Sequence, residues 1–142
     1  MKNLFEIRNL EMVILKRISN DPFIRENNIT PVQCEILNYL ITNQIIYQKD
    51  IESKLNIRRS TISGVLHTME KNGLIKKEYN KSDARVNKII ITKKGMDINN
   101  TLKEKIKLIN DIAFFNISDD EVNSFYNTIN KIIKNLERWC YV

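Results

Sequence analysis

Apolar residues recur at every third or fourth position along most of the chain, and this spacing predicts amphipathic α-helices. The pattern changes to β-like runs at 74–79 and 86–92, and residues 45–47 form another short run. The pattern therefore predicts a mainly α fold with a small β-hairpin. Six helices are predicted, over about residues 3–19, 31–42, 48–55, 59–71, 93–115 and 119–139.

Two helix starts carry the sequence of a capping box. Thr30 precedes Pro31 and is followed at the third position by Gln33, which places proline in the first helical position. Ser118 and Glu121 repeat the same spacing before the last helix. We therefore expect these two helices to begin at residues 31 and 119.

The two short helices at 48–55 and 59–71 are separated by only three residues, which is typical of a helix-turn-helix. Asn72 and Gly73 end the second of them, the hairpin follows directly, and Thr92 caps the next helix. A hairpin in that position is a wing. The sequence therefore predicts a winged helix-turn-helix.

Both terminal helical regions carry more apolar surface than one small core can absorb. Pairing them with a second copy of the chain would bury that surface. We expect a single domain over residues 1–142, with a winged helix-turn-helix at 30–95 (the winged lobe). The dimerisation helices are expected at 1–20 and 96–142.

The excess positive charge is confined to one stretch. Residues 58–94 hold ten Lys and Arg against three acidic residues, a net of +7, whereas the rest of the chain holds 13 basic and 14 acidic residues. We interpret this segregation as the footprint of a polyanion, and an ordinary solvated charged face is the alternative.

Other classes of protein lack support in the sequence. The apolar runs are far shorter than the ~20 residues of a spanning helix, and no secretory signal is visible, so we expect a cytoplasmic protein with no membrane partner. Cys34, Cys140 and the single His67 are too few for a disulfide framework or a zinc site. With no Gly-rich phosphate loop and no nucleophile–base pair, we expect no enzymatic activity, no cofactor and no metal.

Short motifs follow one another along the chain at Thr30–Leu37, Arg59–Leu66 with Met69–Ile75, Asp83–Arg85, Ile91–Gly95 and Ser118–Glu121. In the order and spacing of these motifs, residues 29–95 resemble the MarR (multiple antibiotic resistance regulator) family, and Ser118–Glu121 matches the start of its final helix. The resemblance implies a homodimeric DNA-binding transcriptional regulator. The sequence departs from the family at Glu52, where Ala is usual, and at Arg58, where Ser or Asp often caps the recognition helix.

The helix at 59–71 would be the recognition helix in the major groove. Capping is the alternative role for Ser60, and an ordinary surface position or a pH sensor is the alternative for His67. With the apolar stripe buried, its other face and its N-terminus present the candidate DNA-binding residues Arg58, Arg59, Ser60, Thr61, Ser63, Gly64 and His67.

The resemblance also implies roles at the wing. Arg85 would enter the minor groove and Asp83 would orient it, since a narrow minor groove attracts a guanidinium group. Lys81 and Lys88 would contact phosphates. The alternative for Asp83 is a simple turn former.

Members of the family often respond to small aromatic or anionic molecules, which implies a repressor released by an effector. Phe5, Tyr39, Phe114 and Phe115 are candidates for the effector pocket, with core packing as the alternative for each. Cys34 is interpreted as a small buried hydrophobe, because the peroxide-sensing branch carries its reactive cysteine in the first helix and residues 1–28 contain none.

Two rival functions remain for comparison. One is a winged-helix module that binds RNA or protein, which would not need ten basic residues around the recognition helix and wing. The other is an enzyme. The favoured prediction is a sequence-specific regulator that binds a pseudo-palindromic operator in double-stranded DNA.

Overall fold

The computed structural model describes residues 3–43, 45–79 and 87–139. Within these ranges no helix has both the length and the apolar character needed to cross a membrane. The described elements, in chain order, are α1 (Phe5–Ser19), α2 (Pro22–Glu26), α3 (Pro31–Asn43), β1 (Ile45–Tyr47), α4 (Gln48–Leu55), α5 (Arg59–Lys71), β2 (Ile75–Tyr79), β3 (Asn87–Ile91), α6 (Lys93–Ala113) and α7 (Asp119–Trp139).

This architecture confirms the predicted fold class, a mainly helical winged helix-turn-helix. Both capping boxes form. The Thr30 amide donates to Gln33 Oε1 at 3.1 Å and the Gln33 amide to Thr30 Oγ1 at 3.3 Å. The Ser118 amide donates to Glu121 Oε2 at 2.9 Å, and these bonds to Ser118 lower the pKa of the Glu121 carboxyl.

The helix α2 is absent from the predicted elements. Asp21 and Pro22 predict the end of the first helix, whereas Asp21 also caps a new helix by accepting the Phe23 amide at 2.9 Å. Pro22 then occupies the first helical position, where its missing N–H costs nothing. Five residues are too few to show a helical period, but α2 is anchored by the buried Ile24.

Two helices are also slightly shorter than the sequence predicts. α1 begins at Phe5 rather than Asn3, whose side-chain oxygen accepts the Phe5 amide at 2.9 Å. α6 ends at Ala113 rather than near Phe115. The left-handed backbone of Asn116 (φ 58) follows, and Asn tolerates that conformation better than most residues do.

The chain divides into two compact units, Met1–Ile106 and Lys107–Val142, with the boundary inside α6. The single domain expected over residues 1–142 stays a prediction. In the first unit the three strands form an antiparallel sheet in the order β1-β3-β2. Ile89 of the central strand pairs with Ile46 on one side and Lys77 on the other. The core side chains with no exposed surface are Ile36, Leu37, Leu40, Ile51, Ile62, Leu66, Met69, Ile89 and Leu102.

The second unit contains the end of α6 and all of α7. Phe114 packs against Tyr126 with ring centroids 6.4 Å apart, and Phe125 meets the same ring at 5.7 Å in an edge-on arrangement. No residue of α7 is buried, although its sequence repeats apolar positions at helical spacing.

Candidate nucleic-acid interface

The turn between α4 and α5 fixes the direction of the recognition helix. Asn56 ends α4 in the left-handed conformation (φ 50, ψ 44), and the Ile57 amide donates to the Glu52 carbonyl at 3.3 Å. The half-buried Ile57 packs against the core. Only three residues separate the two helices, and α5 begins at Arg59 as predicted.

A buried amide joins α4 to α5. Gln48 is 6% exposed, and its Nε2 donates to Ser63 Oγ at 2.8 Å and to Glu52 Oε1 at 3.1 Å. Because Ser63 Oγ is the acceptor in this bond, its own proton remains available to another acceptor. Ser63 therefore has a structural contact in addition to its predicted role, and Glu52 is half-buried beside it.

The two faces of α5 separate cleanly. Ile62, Leu66 and Met69 are fully buried, and Val65 packs partly against the core. Among the DNA-binding residues predicted on α5 and at its N-cap, Ser63 is half-buried, and the others are exposed, namely Arg58, Arg59, Ser60, Thr61, Gly64 and His67.

The centre of the exposed face follows from the helical period. At about 100° per residue, Ser60, Gly64, His67 and Lys71 lie opposite the buried stripe, whereas Arg59 lies toward one flank. Lys71 is exposed and was absent from the predicted set. The spacing of these four positions (i, i+4, i+7, i+11) is the signal that identifies it.

Packing within the fold does not require glycine at position 64. A Cβ built on Gly64 would meet no atom within 4 Å. The absent side chain therefore leaves the middle of the exposed face flat, with only the backbone and the Thr68 hydroxyl, which donates to the Gly64 carbonyl at 3.2 Å.

The N-terminus of α5 has no side-chain cap. Arg58 occupies the N-cap position with extended backbone (φ −60, ψ 144) and makes no capping hydrogen bond. The first helical bond runs from the Ile62 amide to the Arg58 carbonyl at 3.1 Å, so the amides of residues 59–61 have no acceptor within the helix. An anion placed there would meet both these amides and the two arginine side chains.

The opposite end of α5 is held by the start of α6. Thr92 Oγ1 donates to the Gly73 carbonyl at 2.6 Å and accepts the Gly95 amide at 3.0 Å. Lys94 Nζ donates to the Asn72 carbonyl at 2.8 Å. The predicted Thr92 cap thus forms and also satisfies carbonyl groups at the end of the recognition helix.

The sheet adds further basic groups. Lys88 lies on β3 opposite Tyr47 and Glu78, and it is half-buried. On β2, Lys76 is exposed, and the Lys77 amide donates to Glu70 Oε1 at 3.1 Å. The other predicted wing residues, Lys81, Asp83 and Arg85, lie outside the described residues.

Among the described residues of 58–94, no basic side chain forms a salt bridge. In the described ranges the one ion pair joins Lys105 Nζ to Asp21 Oδ2 at 3.3 Å, outside the 58–94 stretch. Glu70 uses its carboxylate on a backbone amide instead. The described basic side chains of 58–94 are therefore free to attract a polyanion. Over the same ranges, no three His, Cys, Asp or Glu side chains are grouped as metal ligands.

The four aromatic residues predicted for the effector pocket are divided between the two units, with Phe5 and Tyr39 in the first and Phe114 and Phe115 in the second. Phe5 is 72% exposed and Tyr39 is half-buried. Neither lines the half-open cavity of about 400 Å³ that lies between α1, α3 and Ile106. In the second unit, Phe114 is half-buried against Tyr126 and Phe115 is 75% exposed. Their effector role stays a prediction.

Cys34 lines that cavity and is buried, with a free thiol. Burial raises the pKa of the thiol to about 11. A thiol with that pKa is almost entirely protonated near neutral pH, whereas reactive cysteines have lowered pKa values. The geometry supports the interpretation of Cys34 as a small buried hydrophobe, and Cys140 lies outside the described residues.

The chain is similar to known protein families, proteins and solved structures. The model of the MarR family matches residues 29–86. The chain is 25% identical over 115 residues to the HTH-type transcriptional regulator SarZ of Staphylococcus haemolyticus, covering 80% of this chain and 76% of that protein.

Two solved structures with DNA are similar to the chain. A MarR-family regulator from Listeria monocytogenes, complexed with a 26mer DNA, gives a TM-score of 0.82 at 26% identity and covers 100% of this chain and 95% of that chain. For the MepR–DNA complex of S. aureus the TM-score is 0.84 at 20% identity, and the match covers 95% of this chain and 96% of that chain. The second likeness, at its lower identity, shows the fold.

Proposed function

We propose that this chain, whose residues 29–86 match the model of the MarR family, is a winged-helix transcriptional regulator that binds duplex DNA through α5 and the adjoining hairpin. The observation that carries the proposal is the unpaired positive charge around an exposed helix face. B-DNA accepts an α-helix in its major groove, and phosphate neutralisation supplies much of the affinity.

The N-terminus of α5 is the phosphate-binding end. Its uncapped amides and the side chains of Arg58 and Arg59 point to one anionic group at the groove edge. The replacement of the usual capping residue by Arg58 thus exchanges an internal hydrogen bond for a charge that DNA can use.

The middle of α5 reads the groove. Ser60 and His67 offer short hydrogen-bonding groups on either side of Gly64, where the flat backbone allows close approach to the bases. Ser63 donates its free hydroxyl proton, because Gln48 already occupies an acceptor position on its oxygen. Lys71 extends the contact toward a phosphate at the far end of the helix.

A homodimer brings two such helices to one operator. α1 and α7 have no buried residue and expose large apolar side chains, among them Phe5, Val13, Leu136 and Trp139. A second copy of the chain covers these faces and produces a two-fold arrangement. The operator is then pseudo-palindromic, with half-sites about one helical turn apart.

Repression and its release form the finer part of the proposal. A dimer seated across an operator blocks other proteins from the same DNA, and a small molecule that changes the spacing of the two α5 helices releases it. The cavity beside α1 and α3 supports this part, because its size is that of a small-molecule site.

The proposal is tested by measuring affinity for duplex DNA from the region upstream of the gene as salt is raised. We expect a steep fall in affinity, with Arg58→Ala and Arg59→Ala each weakening binding by about 1 kcal/mol and reducing the salt slope by about 1. Lys131→Ala, an exposed lysine on α7, is the matched control.

Two outcomes contradict the proposal. Affinity that is indifferent to salt removes the phosphate contacts from the mechanism. Equal or tighter binding to single-stranded RNA of the same sequence transfers the function to the rival class of RNA-binding winged helices.

A further inference from the structure

The hydrogen bonds that join α4 to α5 begin at a carboxylate. Glu52 is half-buried, and its Oε1 accepts a hydrogen bond from Gln48 Nε2 at 3.1 Å. The same nitrogen donates to Ser63 Oγ at 2.8 Å. Glu52 is one of the two positions at which the sequence departs from the family resemblance, and it has no part in the DNA contacts proposed above.

The carboxylate decides which way round the Gln48 amide lies. An ionised carboxylate only accepts hydrogen bonds, so the atom of Gln48 that faces Glu52 is the NH₂ nitrogen, which has two protons to donate. An amide turned by 180° would place its oxygen against the carboxylate oxygen, and two acceptors at that separation repel each other. Glu52 therefore fixes which end of the amide meets Ser63.

The amide in turn sets the hydrogen-bonding role of Ser63. Because Gln48 Nε2 donates to its oxygen, the Ser63 hydroxyl proton points to a different acceptor, and no described residue accepts it. Ser63 is half-buried, so this proton can reach a molecule outside the fold. Ser63 also lies one turn after Ser60 and one turn before His67, the two residues that read the groove in the proposed function.

We propose that Glu52 is a specificity-determining residue, which acts through Gln48 and fixes Ser63 as a hydrogen-bond donor toward a base edge. This inference rests on the proposed function, since the acceptor belongs to the DNA. In the major groove guanine, adenine and thymine each offer an acceptor atom, whereas cytosine offers only its amino group, a donor. α5 therefore disfavours cytosine at the position of each half-site that faces Ser63.

The charge of Glu52 separates this role from simple attraction or simple packing. A carboxylate near a polyanion-binding helix repels phosphates and lowers affinity for every DNA sequence. Removing Glu52 therefore keeps or raises general affinity and lowers base discrimination, which are effects of opposite sign. A residue that only stabilised the contact between α4 and α5 would, when removed, weaken binding to all sequences alike.

The test compares base preference in the unmodified protein and in Glu52→Ala. The probes are duplexes built on the bound segment of the region upstream of the gene, with each base pair replaced in turn. In the unmodified protein we expect one position per half-site at which cytosine weakens binding by at least about fivefold. Glu52→Ala should reduce this penalty to about twofold or less, while affinity for a duplex of unrelated sequence stays equal or rises.

Three further variants make the assignment specific. Ser63→Ala should lose the same cytosine penalty, and combining it with Glu52→Ala should change base preference no further, because Glu52 acts through Ser63. Glu78→Gln removes an exposed carboxylate from β2 and is the matched control for charge, which should leave base preference unchanged. Alanine is the best helix former, so we expect Glu52→Ala to fold, and thermal unfolding checks each variant.

Several results overturn the inference alone, because the unmodified protein still binds duplex DNA in each. They are the absence of a cytosine penalty in the unmodified protein, an unchanged penalty in either Glu52→Ala or Ser63→Ala, and a uniform loss of affinity for all duplexes in Glu52→Ala. An unmodified protein that binds no duplex contradicts the proposed function itself, and the inference with it.

Discussion

The helices of the winged lobe and the terminal helices α1 and α7 have similar apolar periodicity, but they differ in how far their apolar residues are buried. α3 and α5 bury their apolar stripes, with Ile36, Leu37 and Leu66 fully shielded from water. α1 and α7 bury no residue at all, and Trp139 is 77% exposed. The difference shows that periodicity predicts a helix, whereas burial requires a partner surface. The winged lobe contains that partner, and under the proposed function a second copy of the chain supplies it to α1 and α7.

The largest effect is expected where the lobe is packed most tightly. A Cβ at Gly95 would overlap the Leu74 carbonyl oxygen and approach Ile91 Cγ1 at 2.8 Å. Because a backbone oxygen cannot move aside, Gly95→Ala should lower the free energy of unfolding by about 3 kcal/mol or more. Chemical denaturation measures the loss.

Gly64→Ala is the matched control within the same lobe. No atom lies within 4 Å of its Cβ position, so this change should raise stability by up to about 1 kcal/mol through helix propensity. It should nevertheless weaken DNA binding, since the methyl group fills the flat centre of α5. A stable, folded Gly95→Ala protein would contradict the tight packing of this junction.

The next largest effect concerns the terminal helices. Ile133 and Leu136 are exposed on α7 at a spacing of three residues and so lie on one face. If a second copy covers that face, Ile133→Glu combined with Leu136→Glu should weaken dimerisation by about 3 kcal/mol, because each charge would be buried at the interface. Analytical ultracentrifugation reads out the monomer fraction.

Asn130→Glu, with one new charge at an exposed polar position of α7, is the control and should leave the dimer intact. An unchanged sedimentation profile for the double variant would show that α7 is not the dimer surface. It would also break the contrast between the two regions, since the exposed apolar face would then be uncovered in solution.

Local sequence signals predicted the elements of the lobe well, because each is decided by neighbouring residues. The capping box of Thr30 and Gln33, the stop at Gly73 (φ 75) and the start of α5 at Arg59 all lie where the pattern placed them. The exposed face of α5 followed directly from its period. Lys71 could have been included by the same rule.

Features that depend on contacts across the fold were not predictable in this way. Gln48 is a polar residue in a short helix, and nothing local indicates that its amide is buried against Ser63. Glu11 and Glu35 are 24 residues apart and line the same half-open cavity because α1 packs beside α3. The helix α2 was missed because Asp21 serves both as a stop and as a start.

A smaller effect tests the buried link between the two helices of the helix-turn-helix. Gln48→Ala removes the hydrogen bonds to Ser63 and Glu52 and should cost about 1–2 kcal/mol of unfolding free energy. A double-mutant cycle with Ser63→Ala isolates their coupling, expected at about 1 kcal/mol. Ser53→Ala, exposed on the same helix, is the control, and a coupling near zero would remove Gln48 as the link that holds α5.

The smallest effect is expected at Asn99, which is 1% exposed and whose Nδ2 has no hydrogen-bond partner among the described residues. A buried donor without an acceptor is destabilising, so Asn99→Leu should raise the free energy of unfolding by about 1 kcal/mol. Asn100→Leu, at the exposed next position, is the control and should change stability little. Thermal and chemical denaturation measure both variants. Destabilisation by Asn99→Leu would mean that the amide makes a stabilising interaction that an apolar side chain cannot replace. Asn99 would then belong with Gln48 among the buried polar groups that stabilise the fold.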